Sequence, residues 1–286
     1  MRKILLQLDS DPQPSVFDAV TALDSVDCAM LRHGAVTPEN VVPLVHGCMF
    51  TRSPKELCDT AIFIGGSSVE EAGRILKKVR ETQWPPLDVS VMFDPNGCNT
   101  TSAAAVHYMA SFCDMNGKKV AVLSGTGPVG QRSAGLLLNL GASVLITSRN
   151  MDKAESAARA IGERFGKTPE CAVLRGDEDT RPILDGAAAV ICCGAAGVRL
   201  ISEKLWREHP TLKVIADVNA VPPLGVEGTE AVWRAREADG KVVFGAIGIG
   251  GLKMKIHHRA VAKLFEEKGC LLDTEGIYAL AQEAAK

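Results

Sequence analysis

A fold of parallel β-sheets flanked by helices, in two domains, is predicted by three features of this sequence. Short apolar runs alternate with amphipathic helical patterns from end to end, as βαβ units require. The stretch LSGTGPVGQRSAGLLLNLGASVLITSRN, residues 123–150, places Gly125, Gly127 and Gly130 in G-x-G-x-x-G spacing. The chain, at 286 residues, is long enough for two domains with a core in each.

In chain order, KILLQLD reads as a strand, and PSVFDAVTALDS as a helix with Pro14 suited to its first turn. CAMLRHG is a second strand; NVVPLVHGCMFTR is ambiguous, a short helix and then a turn. TAIFIGG is a strand ending in Gly65-Gly66. SVEEAGRILKKVRETQ is an amphipathic helix, acidic early and basic late as its dipole prefers, closed by Trp84-Pro85-Pro86. DVSVMFDP is a strand, and NTTSAAAVHYMASFCDMNG a long helix opened by the capping residues Asn99 and Thr100 and closed by Gly117.

KKVAVLS then gives a buried parallel strand, QRSAGLLLNLG a helix with one apolar stripe stopped by Gly141, and SVLIT the next strand. Together they make one βαβ unit of about 30 residues. In that setting Gly125 permits the tight turn. Gly127 lets backbone approach a pyrophosphate, and Gly130 lets the helix pack on the strand. The phosphates are expected at the helix N-terminus, against Gly125, Thr126, Gly127, Pro128, Val129 and Gly130.

The tip of the second strand selects the dinucleotide. NAD sites place a carboxylate there, about 20 residues after the glycines, for the ribose hydroxyls. Here the tip is Ser148-Arg149-Asn150, and the first carboxylate is Asp152. Arg149 can pair with a 2′-phosphate in two-pronged fashion, Ser148 can donate to it, and Lys153 adds charge. NADP is therefore the expected cofactor.

Downstream, DKAESAARAIGERFG is a helix, PECAVLRG a strand, DEDTRPILDGA a short helix and AAVICCGA a strand. ISEKLWREHP is a helix and LKVIADVNAVPPLG a strand running into a loop. TEAVWRAREADG reads as a helix, and KVVFGAIGIGG as a strand plus a glycine loop. LKMKIHHRAVAKLFEE and DTEGIYALAQEAA are two tail helices. Six strands after residue 117 suffice for a complete Rossmann domain. The expected organisation is a dinucleotide-binding domain over 117–248 and a smaller α/β domain over 1–116. The C-terminal helices, 249–286, complete the smaller domain, with a cleft between the two. Ligands in such sheets bind at the carboxyl ends of strands, where Gly194, Ala195, Asn219 and Ile247 are expected to complete the cofactor site.

Composition narrows the classes. The net charge of −2 supplies no basic field for nucleic acid or a membrane surface. MRKILLQLDSD breaks at Gln7 and Asp9, too soon for a signal sequence, and no apolar run approaches a membrane span. Nine cysteines, an odd number without a C-x-x-C pair, suit reduced thiols in a cytoplasmic protein. Six histidines show no metal-binding spacing, so no metal is expected.

The chain resembles the NADP-dependent methylene-tetrahydromethanopterin dehydrogenases of methylotrophic bacteria, some of which also oxidise methylene-tetrahydrofolate. The stretches that carry the resemblance are PSVFDAV, TAIFIGG, DPNGCNTTSAA, SGTGPVGQRSA, ADVNAVPPLG and FGAIGIGGLKMKIHH, spread over nearly the whole chain. Val218, Val221 and Cys98 depart from the family pattern, which has Tyr, Gln and Ser there. The resemblance implies hydride transfer from the methylene-pterin to NADP, cytoplasmic one-carbon metabolism, a homotrimer, and a pterin held in the cleft. It also implies that Lys253 reaches the reacting carbon or the pterin as the catalytic residue. Phe17, Asp18, Asn99, Thr100 and Thr101 are the implied substrate-binding residues. From the residues alone, Lys253 follows the glycine loop and begins a helix, Phe17 could stack on a flat ring, and Asn99, Thr100 and Thr101 could equally be capping residues.

Methylene oxidation takes a hydride from a carbon between two nitrogens, whose lone pair stabilises the cation formed. Positioning does most of the work, which suits a sequence without triads or metal motifs. Two other readings stay open. A dehydrogenase of shikimate-dehydrogenase-like layout needs a Lys–Asp pair on the first domain, and GGSSVEEAG supplies no such lysine; Lys55 has no evident partner motif. A non-enzymatic NADP sensor needs no second pocket, against which the NTT and GGLKMK stretches stand.

Overall fold

The computed structural model describes residues 1–283. Its elements are β1 (Lys3–Asp9), α1 (Val16–Ser25), β2 (Cys28–His33), α2 (Val41–Met49), β3 (Thr60–Gly65), α3 (Val69–Thr82), β4 (Ser90–Phe93) and α4 (Cys98–Phe112). Then come β5 (Lys119–Leu123), α5 (Pro128–Asn139), β6 (Ser143–Ser148), α6 (Met151–Phe165), β7 (Glu170–Val173), α7 (Asp177–Leu184), β8 (Ala187–Cys192), α8 (Glu203–Arg207) and β9 (Val214–Asp217). The chain continues through β10 (Arg236–Ala238), β11 (Lys241–Phe244), α9 (Ala246–Lys263), β12 (Leu271–Leu272) and α10 (Thr274–Glu283). The expected last helix also took in Ala284 and Ala285, and the second segment of the first domain ran to 286; those positions lie outside the described residues.

The chain divides into two compact units. One comprises residues 1–100 with the described residues from 254 onward, and the other residues 101–253. The divisions fall inside α4 and α9, so each of these helices belongs partly to either unit, whereas the sequence suggested limits near 116 and 249.

The first unit holds a five-stranded parallel sheet in the order β12-β4-β3-β1-β2. Every residue of β3 is buried, as expected of a central parallel strand covered on both faces. Leu6, Leu8, Val45, Met49, Ile62, Ile64, Ile75 and Val79 form the core between this sheet and the helices α2 and α3. The two-residue β12 is legible only in three dimensions: Leu271 and Leu272 pair with Val91 and Met92.

The second unit holds a seven-stranded sheet in the order β10-β11-β9-β8-β5-β6-β7. It is parallel except for β10, which pairs antiparallel with β11. The stretch TEAVWRAREADG is therefore not a helix. Ala235 (φ 50°), Asp239 (φ 47°) and Gly240 (φ 71°) take left-handed backbone that interrupts any helix. The positive φ at both Asp239 and Gly240 makes the tight turn between β10 and β11, a geometry that Asp-Gly favours. The core of this unit includes Leu123, Val190, Ile215, Val243 and the fully buried Trp206, whose indole N–H donates to the Glu227 carbonyl at 2.8 Å.

Two helix starts also differ from expectation. Pro14 lies outside α1; Ser15 is the cap, its Oγ accepting the Asp18 N–H at 3.2 Å. GAIGIGG is not a loop: α9 begins at Ala246, directly after β11 and a single intervening residue.

Candidate cofactor and substrate sites

Buried aspartates stand at the ends of three strands and fasten the loops and helix starts beyond them. Asp9, closing β1, is fully buried and accepts the N–H groups of Asp11 at 2.9 Å and Ser15 at 3.0 Å. Asp94, after β4, accepts the N–H groups of Asn99 at 2.8 Å and Thr100 at 3.1 Å, and the Thr100 hydroxyl at 2.6 Å. Asp217, closing β9, accepts the N–H groups of Asn219 at 3.0 Å and Val226 at 3.1 Å. Burial raises the Asp217 carboxyl above its ordinary range, while those backbone donors oppose the shift.

These braces reassign two expected caps. Asn99 and Thr100 lie within the first turn of α4, and Asp94 satisfies their backbone N–H groups from outside it. Asn99 is fully buried, donating to the Phe93 carbonyl and accepting from the Thr274 hydroxyl at 2.7 Å. Thr100 is fully buried as well. Thr101, next along α4, is half-buried. In α1, Phe17 is 53% exposed. Asp18 is half-buried; its Oδ2 lies 3.4 Å from where a Cβ on Gly65 would stand. Phe17 also lies 6.4 Å, ring to ring, from the buried His257 of α9, which stacks on Phe63 at 5.8 Å. His257 and Phe63 thus form an aromatic base beside Phe17, which sequence patterning left without a role. Lys253 is half-buried and sits within α9 rather than at its start.

The glycine fingerprint has the expected setting, strand β5 before it and helix α5 after it. Its glycines divide the work differently. The left-handed residue of the turn is Ser124, at φ 53°, not Gly125. Ser124 and Gly125 are tied to the end of β6, donating to the Thr147 hydroxyl and carbonyl, each at 2.9 Å. A Cβ on Gly125 would stand 2.9 Å from the Val122 carbonyl, so the need for glycine there is steric. A Cβ on Gly130 would stand 2.6 Å from the Cα of Gly125, so this glycine lets the helix close on the loop rather than on the strand. Around Gly127, the helix N-cap, nothing lies within 4 Å of such a Cβ. Gly127 therefore faces open space at a helix N-terminus, the arrangement in which backbone N–H groups receive phosphate. Thr126 accepts from the Gln131 amide through its carbonyl at 2.7 Å, and Pro128 occupies the first helical position. Val129 accepts from the Ser102 hydroxyl at 3.1 Å through its carbonyl, which ties α5 to α4.

A cavity of about 210 Å³ opens beside this loop, lined by Ser124, Arg149, Leu174, Arg175, Ala195 and Arg199, among others. Of the residues expected at the cofactor site it gathers Arg149 and Ala195. Ser148 is almost wholly buried at the end of β6, its Oγ accepting the Asn150 N–H at 3.3 Å. Lys153 is exposed in the first turn of α6 and does not line the cavity. Gly194 leaves room for Leu200, whose Cδ1 would be 3.0 Å from a Cβ. The Asn219 amide serves its own loop: Oδ1 accepts the Val221 N–H at 2.9 Å and Nδ2 donates to the Pro223 carbonyl at 3.2 Å. Ile247 is 57% exposed in the first turn of α9. Sequence reasoning missed Arg175 and Arg199, because each is separated from the fingerprint by whole elements.

NADP fits these residues. Open backbone at Gly127 suits the pyrophosphate, guanidinium groups in the adjoining cavity suit a 2′-phosphate, and no carboxylate stands at the β6 tip.

Residues 16–96 match the family described as methylene-tetrahydromethanopterin dehydrogenase, N-terminal. Over 99% of both chains, the protein is 42% identical to "Bifunctional protein MdtA" of Methylorubrum extorquens. It is 30% identical to the NAD(P)-dependent methylenetetrahydromethanopterin dehydrogenase of the same organism, again over 99% of both. Among solved structures it resembles quinate dehydrogenase from Corynebacterium glutamicum in complex with NAD, with TM-score 0.52 and 13% identity over 99% of this chain and 100% of that one. It also resembles 5-ketofructose reductase of Gluconobacter sp. strain CHM43, with TM-score 0.51 and 14% identity over 99% of both. At such identities the structural likeness is one of fold, the Rossmann-type α/β dehydrogenase architecture.

Proposed function

The chain belongs to the methylene-tetrahydromethanopterin dehydrogenase family, and from that premise we infer an oxidoreductase that moves a hydride from methylene-tetrahydromethanopterin to NADP, giving the methenyl form. The observation that carries the reading is the fingerprint with its open Gly127 and the guanidinium-lined cavity beside it, in a chain 30% identical, over 99% of its length, to a dehydrogenase named for this reaction. The likeness to quinate dehydrogenase extends only to fold and does not favour a hydroxy-acid substrate.

NADP, when bound, supplies the hydride acceptor. The protein's own residues have four tasks. The N–H groups at the start of α5 receive the pyrophosphate, and Arg149 and Ser148 recognise the 2′-phosphate. Phe17 stacks on the pterin face, with Asp18 accepting from pterin N–H groups. Thr101 presents the first turn of α4 to the substrate, and Thr100, buried and bonded to Asp94, holds that turn in place. Lys253 positions the reacting carbon. A fixed positive charge beside a forming cation is unfavourable, so the role we assign Lys253 is donation to a ring oxygen. Asn99, which donates to the Phe93 carbonyl and accepts from the Thr274 hydroxyl, supports the α4 start.

We further propose, on the family resemblance, that the chain works in the cytoplasm in methylotrophic one-carbon metabolism and assembles as a homotrimer. No helix among the described residues is long and apolar enough to cross a membrane.

The deciding experiment measures initial rates with methylene-tetrahydromethanopterin and methylene-tetrahydrofolate, each crossed with NADP and NAD. Turnover of the methanopterin substrate with NADP, well above that with NAD, is expected. Absence of reduced nicotinamide with either pterin, alongside turnover of quinate or shikimate, overturns the reading.

A further inference from the structure

We propose that Arg175, beyond the tip of β7, is a second guanidinium ligand of the cofactor 2′-phosphate, facing Arg149 at the tip of β6. The assignment depends on NADP being the cofactor. Strands β6 and β7 run parallel in register from Leu145 opposite Glu170 to Ser148 opposite Val173. The Leu174 N–H donates to the Ser148 carbonyl at 2.9 Å, which carries the pairing to the strand ends. Arg149 and Arg175 each follow directly on a residue of that last bond, on strands about 4.8 Å apart. Both line the same cavity, with Ser124 of the glycine-loop turn.

The chemistry of the anion calls for two such groups. A phosphate monoester presents three terminal oxygens, and one guanidinium fork engages two of them. Arg199 also lines the cavity but is committed elsewhere, 3.0 Å from Glu227 and 3.9 Å from Asp177. That commitment is useful, since Asp177 is a carboxylate lining the cavity and Arg199 offsets its repulsion of a phosphate. No carboxylate ion-pairs with Arg149 or Arg175 among the described residues, so their charge is available to a ligand. The backbone of Arg175, a residue lining the cavity, is fixed by donation of its N–H to Asp179 at 2.8 Å.

Isothermal titration of the full-length protein with adenosine 2′,5′-bisphosphate and with adenosine 5′-monophosphate tests this. The two probes differ by the 2′-phosphate alone and need no pterin. The unaltered protein should prefer the bisphosphate. Arg175→Met should reduce that preference about tenfold, the effect of one lost charge-assisted bond, with 5′-monophosphate binding unchanged. Arg175→Lys, which keeps the charge but not the fork, should fall between. The Arg175 side chain is exposed, so neither variant removes core packing. Unchanged preference in both variants overturns the role of Arg175 and leaves the NADP reading standing. Equal loss for both probes also overturns it, marking a collapsed cavity. An unaltered protein that binds both probes alike overturns the NADP reading together with this proposal.

Discussion

Gly130 and Gly125 touch backbone to backbone: a Cβ on the first would lie 2.6 Å from the Cα of the second. Helix α5 can close over its own preceding loop only because Gly130 lacks a side chain; Gly125 is glycine because a Cβ there would meet Val122 and Ile146. Gly127, between them, has nothing within 4 Å of the corresponding position. Gly130→Ala should therefore destabilise the protein by about 1–3 kcal/mol through overpacking against backbone. Gly127→Ala should leave the urea midpoint within error and weaken NADP binding at least several-fold. Equal loss of stability in the two variants would show that the open space at Gly127 is not the phosphate approach.

Arg149 is expected to supply the selectivity at the β6 tip. Arg149→Ala should weaken NADP binding by roughly 10- to 100-fold, as one charge-assisted contact of about 1.5–3 kcal/mol implies. NAD binding should barely move. Parallel titrations with the two dinucleotides decide it, and equal loss for both would remove Arg149 from the 2′-phosphate site.

Lys253 should matter in the chemical step rather than in binding alone. Lys253→Met is expected to lower kcat by roughly 10²-fold, because hydride transfer needs the reacting atoms within about 3–3.5 Å. The NADP Kd should stay within about threefold. A variant with normal kcat and a raised KM would reduce Lys253 to a pterin-binding residue, and full activity would remove it from the site.

Asp94 carries the start of α4. Removing the Thr100 hydroxyl in Thr100→Val leaves the two backbone bonds to Asp94 in place and should cost about 1 kcal/mol. Asp94→Ala strips all three donors of their acceptor and should cost about 2–4 kcal/mol. Urea unfolding of the two variants gives the ordering; equal costs would mean that the hydroxyl bond alone holds the turn.

Asp217 gives a pH signature. Burial raises its folded-state pKa above the unfolded value, so the native protein retains this proton to higher pH. Its contribution to stability is largest below the unfolded pKa. It declines as pH rises through the folded-state pKa and is constant above. Asp217→Asn should flatten that part of the stability–pH curve relative to the unaltered protein. A curve of the same slope in the variant would place the titration elsewhere.

The regular parts of the fold were legible because their signals are local. The apolar runs of β1, β3, β5 and β8 and the stripe of α3 are each contained within one element, and periodicity reports them. The fingerprint was legible because strand, loop and helix are contiguous there. TEAVWRAREADG misled because its composition suits a helix, while the Asp239–Gly240 turn and pairing with β11 hold it extended. GAIGIGG misled in the opposite sense. Glycine disfavours a helix interior by about 1 kcal/mol, yet Gly245 and Gly248 approach the carbonyls of Glu230, Ala231 and Trp233 more closely than any side chain would allow.

By itself, then, the sequence determined the alternation of strands and helices, the strand–glycine loop–helix that receives a dinucleotide, and the absence of a carboxylate at Arg149 that turns the reading toward NADP. These depend on neighbours along the chain. Only the tertiary structure decided that Asp94 rather than Asn99 caps α4, that β12 returns to pair with β4, and that Arg175 shares a cavity with Arg149. Such relationships join residues far apart in sequence through sheet order and burial. A buried carboxylate accepts whichever N–H groups the fold delivers, and strand tips become neighbours only once their register is set, so no local pattern could have announced them.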